Sequence, residues 1–538
     1  MNLPVDLLHW LAAFAPIAML LFLMIKRKWG IRAAAPVGLT VTVLTGLCFY
    51  RADPELILLQ CGKGAWSALP ILLIIATAIL LYQVGEEAGA FPVIRNGMRK
   101  FLPNELLLVL AMGWILESFL QGITGFGVPV AVGAPLLMGI GVRPVWAVII
   151  PLLGQSWGNT FGTLAVSWDM LAVSAGMEAG SEAYLKMAFW ACVFLWIWNL
   201  VIGLVICWFY GRGRALKKGL PAVLLLSLVQ GGGELLMTRV STTLACFLPA
   251  CASLILVIVL GRIGCYREEW RLEDSGIMDW EKETKEGGAD SASAGMSLAQ
   301  AFVPYFLLTF IALGVLLVGP VRGFLGRFKI GLPFPETATG YGYINEAAAD
   351  YGAVAPFTHA SVFLLLAGAA AFFYYRKRGR IKAGGAGRIA RRTCAMIVSP
   401  CLAVVVLVMM SMVMSGTGQT LVLAEGIAGV LGRGYIVLAP FVGALGSFMT
   451  GSNMNSNILF GEFQTATARL LEVDGSMILG AQTAGASIGA AVSPSNIVLG
   501  ATTAGILGRE GEVLRRILKL TVPAAVAVGA ILFLAVGI

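Results

Sequence analysis

The sequence predicts an all-α, polytopic membrane protein of about 11–14 membrane segments, and three observations lead there. Of its 538 residues, 58% are hydrophobic and only 12% charged, about half the charged share usual in a soluble domain. Apolar runs of about 20 residues, enough to cross a bilayer, recur near 4–25, 33–50, 66–84, 185–209, 240–260, 299–318, 356–375, 393–414 and 518–538. Shorter or interrupted runs fill 105–180, 220–236 and 420–507, and polar, glycine-rich breaks stand inside them.

Those breaks come in two ordered copies. Glu117-Ser118-Phe119-Leu120-Gln121-Gly122 aligns with Gly446-Ser447-Phe448-Met449-Thr450-Gly451, sharing Ser-Phe-x-x-Gly at an offset of 329 residues from Phe119 to Phe448. Downstream, Gln155-Ser156-Trp157-Gly158-Asn159-Thr160-Phe161-Gly162 aligns with Gln482-Thr483-Ala484-Gly485-Ala486-Ser487-Ile488-Gly489, 327 residues later. The copies end in Ala165-Val166-Ser167 and Ala491-Val492-Ser493. Two short motifs kept in order at nearly one offset indicate an internal duplication. Paired, glycine-interrupted hydrophobic segments in the two halves of a membrane chain point to a secondary transporter's substrate site.

In chain order, residues 1–65 read as N-terminal membrane helices, the first ending in Lys26-Arg27-Lys28 like an anchor rather than a cleaved signal. Residues 66–210 hold the first repeat, with a hairpin over 117–139 and a broken helix over 143–175. Residues 211–392 connect the halves and carry the hydrophilic loops 262–297 and 376–392. The second of these has eight Lys and Arg and no acid, so both loops read as cytoplasmic and partly disordered. Arg95, Arg99 and Lys100 agree with that side, which puts the non-periodic stretch from Pro320 to Pro356 outside. Residues 393–538 hold the second repeat, with a hairpin over 444–467 and a broken helix over 477–507.

A polar run is tolerable at membrane depth only where protein encloses it. Gly122, Gly125 and Gly127 permit tight or left-handed backbone, and Pro129 suits the first turn of a helix leaving the loop. The first tip therefore presents a helix N-terminus, whose free N–H groups and dipole hold a carboxylate without an arginine. The candidate substrate residues of the first half are Gly122, Thr124, Gly125, Phe126, Gly127, Gln155, Ser156, Asn159 and Thr160. Those of the second half are Thr450, Ser452, Asn453, Asn457, Gln482, Thr483, Ser487, Ser493 and Asn496. Gln121, Asn453, Asn455 and Ser456, with the flanking Glu117 and Glu462, are the candidates for coupling an ion. The competing reading is that small and hydroxyl residues simply let membrane helices pack closely.

Asp169, Glu234, Asp350 and Glu425 lie near ends of apolar runs, where interfacial roles compete with functional ones. His359 reads as interfacial, and Arg143 as an anchor for a hairpin-to-helix loop. The nine cysteines lack metal-ligand spacing, and there is no phosphate loop, HExxH motif or triad that two histidines would support. No enzyme, metal or nucleic-acid reading follows. The Lys and Arg excess of +9 sits between apolar runs, where it sets orientation.

Gln121-Gly122-Ile123-Thr124-Gly125-Phe126-Gly127-Val128-Pro129-Val130-Ala131 resembles the bacterial L-lactate permease family, as do Thr450-Gly451-Ser452-Asn453, Asn457-Ile458-Leu459-Phe460-Gly461, Ser493-Pro494 and Gly508-Arg509-Glu510-Gly511. The resemblance implies a proton-coupled symporter for lactate and related 2-hydroxy monocarboxylates such as glycolate, multi-pass in the bacterial plasma membrane. It also implies two inverted repeats with re-entrant hairpins, elevator-like movement and a possible homodimer, with no cofactor beyond the coupling ion. Gln121 and Asn453 stand where relatives carry acids, and neutral oxygens fit Na⁺ at least as well as amides fit a proton. H⁺ and Na⁺ both stay open as the coupling ion, as do a different organic anion, a small-anion channel and a non-transporting scaffold.

Overall fold

The computed structural model describes residues 3–27, 29–125, 127–279 and 295–536. Phe126 and residues 280–294, part of the first hydrophilic loop, lie outside the described residues. The rest is helical apart from a small β region on one face. Among the described residues, nine helices are long and apolar enough to cross a membrane, or ten if the pair Val303–Leu316 and Gly319–Leu325, bent by 82°, counts as one span.

Length and hydropathy undercount the crossings at one place. Glu182–Met237 is a single 56-residue apolar run, but Gly211 (φ −164°) and Arg212 (φ 52°) break its helix. Beyond them the chain doubles back. A Cβ on Gly219 would lie 2.5 Å from Cys207 Sγ, one on Gly203 would lie 2.7 Å from Val223 Cγ1, and one on Gly231 would lie 2.2 Å from the Trp196 ring. Residue numbers that rise on one side fall on the other, so 182–210 and 213–237 are antiparallel helices pressed together along small residues.

Two helices that precede the hairpins, Pro54–Glu87 and Gly385–Gly416, form the most extensive packing in the molecule. Gly64 makes their close approach possible, because a Cβ there would come within 2.6 Å of Met409 Cα. Asn345 Nδ2 donates to Gly416 O at 2.9 Å and Trp66 Nε1 to Tyr351 O at 3.0 Å. These bonds seat two short antiparallel strand pairs, Ile330–Phe334 with Ala348–Val354 and Thr337–Ala338 with Ile344–Asn345, over the ends of both helices.

Basic segments gather on the opposite face. Arg388 and Arg392 pair with Glu87 at 2.6 and 3.2 Å. Tyr266 Oη donates to Lys218 O at 2.7 Å, and Ser275 Oγ to Tyr210 O at 2.7 Å. Arg143 Nε donates to Met278 O at 2.9 Å. Residues 95–100, 212–218, 262–271, 376–392 and 509–519 thus share one surface, and the excess of Lys and Arg makes it the inner one.

Orientation has a direct check. A membrane-impermeant maleimide, with sites mapped by mass spectrometry, should modify Glu336→Cys in intact cells. Cys265 and Cys394, both exposed, should react only after permeabilisation; labelling of Cys265 in intact cells would reverse the orientation.

Candidate functional site

In the first half, Leu116–Ile123 and Val128–Met138 run antiparallel, with Gly127 in the turn between them. Gly127 is left-handed (φ 82°), which lets the second helix start in the turn. In the second half, Tyr435–Thr450 and Asn453–Leu470 do the same around Gly451 (φ 76°) and Ser452. The segments that follow are each two helices with a break between. They are Pro144–Ser156 and Gly162–Ser174, joined by a 3₁₀ turn at Trp157–Asn159, and Gly475–Ala490 and Pro494–Thr503, joined through Ala491–Ser493.

Each hairpin crosses its own broken helix with backbones nearly touching. A Cβ on Gly154 would lie 2.0 Å from Gly113 O, and one on Gly485 would lie 1.9 Å from Pro440 O. The two copies enter from opposite faces. Arg143 binds the inner-face segment at Gly276 and Met278, whereas Asp474 pairs with Lys186, and Ser476 Oγ donates to Ala183 O at 3.0 Å, at the far end of the helix that starts at Glu182. The tips meet between the faces.

There they enclose a cavity of about 40 Å³ lined by Gln121, Gly125, Gly127, Gln155, Asn159, Thr163, Val166, Ser167, Gly451, Ser452, Asn453, Met454, Ala490 and Asn496. No charged side chain lines it among the described residues. Gly127 and Ser452 are the N-caps of Val128–Met138 and Asn453–Leu470, the right-handed part of Gly162–Ser174 begins at the lining residue Val166, and Asn496 lies in the first turn of Pro494–Thr503. Four helix N-termini therefore face one small space, and the C-terminal ends of Leu116–Ile123, Pro144–Ser156, Tyr435–Thr450 and Gly475–Ala490 reach the same space at Gln121, Gln155, Gly451 and Ala490, so it is served by N–H groups that suit an anion and by carbonyls that suit a cation.

Hydrogen bonds across the halves hold this meeting point. Asn453 Nδ2 donates to Ser487 Oγ (2.7 Å), Thr483 O (2.9 Å) and Thr160 Oγ1 (3.2 Å). Thr160 Oγ1 lies 3.0 Å from the hydroxyls of both Thr483 and Ser487. Asn457 Nδ2 donates to Asn453 Oδ1 (2.7 Å), Thr483 Oγ1 (3.0 Å) and Ser167 O (3.0 Å). Asn496 Nδ2 ties the second break to the second tip through Gly451 O (3.1 Å) and Ala490 O (3.0 Å). Three buried polar atoms here have no protein partner: Asn159 Nδ2, Asn455 Oδ1 and Asn457 Oδ1. Buried groups of this kind ordinarily find a partner, so they mark places for a water, an ion or a ligand.

Of the residues singled out in the sequence, Gln121, Gly125, Gly127, Gln155, Asn159, Ser452, Asn453 and Asn496 line the cavity. Thr160, Asn457, Thr483 and Ser487 stand directly behind it in the network above. Others are engaged elsewhere. Gln482 accepts from Gln464 Nε2 (2.8 Å) and donates to Ser456 Oγ (3.2 Å), which itself donates to Gly443 O (2.7 Å). Ser156 donates to Leu153 O (2.7 Å) and accepts from Trp198 Nε1 (2.8 Å). Thr124 and Thr450 donate to Leu120 O and Gly446 O within their own helices, Ser493 pairs with Ser495, and Gly122 packs on the Phe247 backbone.

The two flanking acids sit apart from the cavity. Glu462 accepts from Ser415 Oγ at 2.7 Å. The Glu117 carboxylate is fully buried without a partner and occupies a notch at Gly133, where a Cβ would fall 1.8 Å from its Oε1.

Thr163, Val166, Ser167, Gly451, Met454 and Ala490 line the cavity without having been singled out. Ser167 and Gly451 belong to the duplicated motifs and were findable there. Thr163, Leu164 and Ala165 take left-handed backbone (φ 50°, 54° and 70°), which costs roughly 1–2 kcal/mol per non-glycine residue and has no compositional signal.

A multi-pass helical membrane protein whose two halves converge on an enclosed, uncharged polar cavity belongs among membrane permeases rather than enzymes. The L-lactate permease family model matches residues 9–538, and the chain belongs to that family. It is similar to the L-lactate permease of Halalkalibacterium halodurans, 25% identical over 517 residues covering 95% of this chain and 93% of that one. It is also similar to the glycolate permease GlcA of Escherichia coli, 25% identical over 530 residues covering 93% and 91%. The L-lactate permease of Escherichia coli is 26% identical over 534 residues covering 95% and 92%. Among solved structures, the Alcanivorax borkumensis YdaH transporter aligns over 88% of this chain and 86% of that one at 14% identity and a TM-score of 0.41, a likeness too weak to inform fold or function.

Two substitutions test the cavity. Asn453→Ala removes three donated bonds and should lower uptake at least tenfold, while costing only about 1–2 kcal/mol of stability; the checks are transport in vesicles and the melting temperature. Gly451→Ala forces a side chain into left-handed backbone with its Cβ 2.2 Å from Ser495 Oγ, and should abolish uptake with a stability loss of about 1–3 kcal/mol.

Proposed function

We propose that this protein is a secondary active transporter that carries a small 2-hydroxy monocarboxylate, of the lactate or glycolate type, together with a cation across the bacterial plasma membrane. The observation that carries this reading is the convergence of four helix N-termini and four helix C-termini on a small cavity with no charged lining, the former suited to an anion and the latter to a cation. Such a space favours one compact anion: N–H groups and helix dipoles offset a carboxylate, while Gln121, Gln155 and Asn159 offer donors and acceptors to a neighbouring hydroxyl. The names of the relatives, L-lactate permease and glycolate permease, support the same substrate class.

Two re-entrant hairpins based on opposite faces supply the exchangeable gates that alternating access requires, and an elevator-like displacement of the hairpins and broken helices against the Pro54–Glu87 and Gly385–Gly416 pair fits the close packing of those two helices. A channel needs no such pair of gates. For the coupling ion, Na⁺ finds support in the unpartnered oxygens of Asn455 and Asn457, because neutral oxygens suit a hard cation. A proton finds support in the buried, unpartnered Glu117.

Counterflow in proteoliposomes tests the reading. Labelled lactate or glycolate should exchange against internal unlabelled substrate, and should accumulate uphill under either a Na⁺ or a pH gradient. If Glu117 carries a proton, Glu117→Gln should keep exchange and lose pH-driven accumulation. Flux that never exceeds equilibrium under either gradient would leave a channel, and no flux of any small carboxylate would remove the substrate assignment.

A further inference from the structure

Far from the central cavity, the inner face carries two adjoining cavities of about 620 and 740 Å³ that share Arg143, Trp146 and Arg516. A third, smaller hollow beside them is formed by Glu512, Arg515, Arg516 and Lys519. Together their linings hold eight Arg and Lys side chains against three carboxylates, Asp274, Asp279 and Glu512. Those acids are already engaged or outnumbered: Arg214 pairs with Asp274, and Arg509 and Arg516 both pair with Glu512 at 2.7 Å. Among the described residues, Lys217, Arg515 and Lys519 have no carboxylate partner.

Depth in the membrane identifies what such a pocket meets. It is framed by the start of Pro144–Ser156, the turn at Gly211–Arg212 and the first turns of Glu510–Val536, all at the inner ends of spans. Trp208, 44% exposed, lies under the Arg212 guanidinium at 5.1 Å, an aromatic at the height where headgroups begin. From the basic residues, exposed aliphatic stripes run toward the bilayer at helical spacing. Lys217 is followed by Leu220 and Leu224, and Arg515 and Lys519 by Val522 and Val526, all four aliphatics 40–48% exposed. Charge at one end and apolar surface along the same stripe match an amphiphile, and do not match a free anion in water.

We infer that this inner-face pocket binds the phosphodiester headgroup of an anionic phospholipid, with its acyl chains along the Leu220–Leu224 and Val522–Val526 stripes. Basic pockets between spans on this side of a membrane suit such headgroups. Because Arg143 belongs to the first repeat and Arg516 to the second, one bound lipid bridges both. Nothing in this depends on the identity of the transported anion.

The test uses the purified full chain in detergent, with phosphatidylglycerol or cardiolipin added and phosphatidylcholine and inorganic phosphate as controls, read by thermal stability and by lipid retention in native mass spectrometry. Anionic lipid should be retained and raise the melting temperature, while neither control does so at equal phosphate concentration. The double variant Lys217→Gln/Lys519→Gln should weaken retention about 30-fold, from about 1 kcal/mol for each charge near the headgroup. Lys217→Arg/Lys519→Arg should restore it, which separates lost binding from misfolding. An equal shift with phosphatidylcholine, an equal shift with inorganic phosphate, or unchanged retention in the Gln variant would overturn the assignment.

Discussion

Asn453 bonds the two halves together at the level where both lose their helical hydrogen bonds. A break in a helix at membrane depth strands backbone groups that lipid cannot satisfy, and this protein has four such breaks close together. Enclosure is the only remedy, so each tip must sit against the other copy. The Asn453 amide reaches Thr160 from the first half and Thr483 and Ser487 from the second, and Asn457 adds Ser167 O across the same seam. The rest of the architecture follows from keeping that seam dry and aligned: the near-contact crossings at Gly154 and Gly485, and the flanking helices that shield them from lipid.

The same constraint explains why the cavity carries no charge. Helix N-termini already offer N–H groups to an anion, and an added lysine or arginine would need a counter-charge that the surrounding apolar shell does not offer. The three left-handed residues from Thr163 to Ala165 are part of the arrangement. They turn the chain at the first break without glycine, and they bring Thr163 and Val166 onto the cavity wall.

Much of this was legible from residue types alone, because Gly, Ser, Thr and Asn are conspicuous inside apolar sequence and recur at a fixed offset. That signal located the breaks and eight of the cavity-lining residues. It did not separate residues that line the cavity from those that brace it. Gln482 and Ser156 carry the same chemistry in the same motifs, but they spend their polar groups on Gln464, Ser456, Leu153 and Trp198; a hydroxyl that binds a ligand and one that binds a neighbouring helix look alike in sequence. The notch at Gly133 was equally hidden, since it exists only when the hairpin closes and places Glu117 against it. The reversal at Gly211–Arg212 lies within an apolar run that composition reads as continuous.

That reversal bears on how the chain is made. Only two residues, Gly211 and Arg212, separate the helices over 182–210 and 213–237, so no loop is long enough for the first to settle across the bilayer while the second waits in the ribosomal tunnel. The pair must enter sideways as a unit, already zipped along Gly203, Gly219 and Gly231, and the biosynthetic machinery has to admit two helices through one lateral opening.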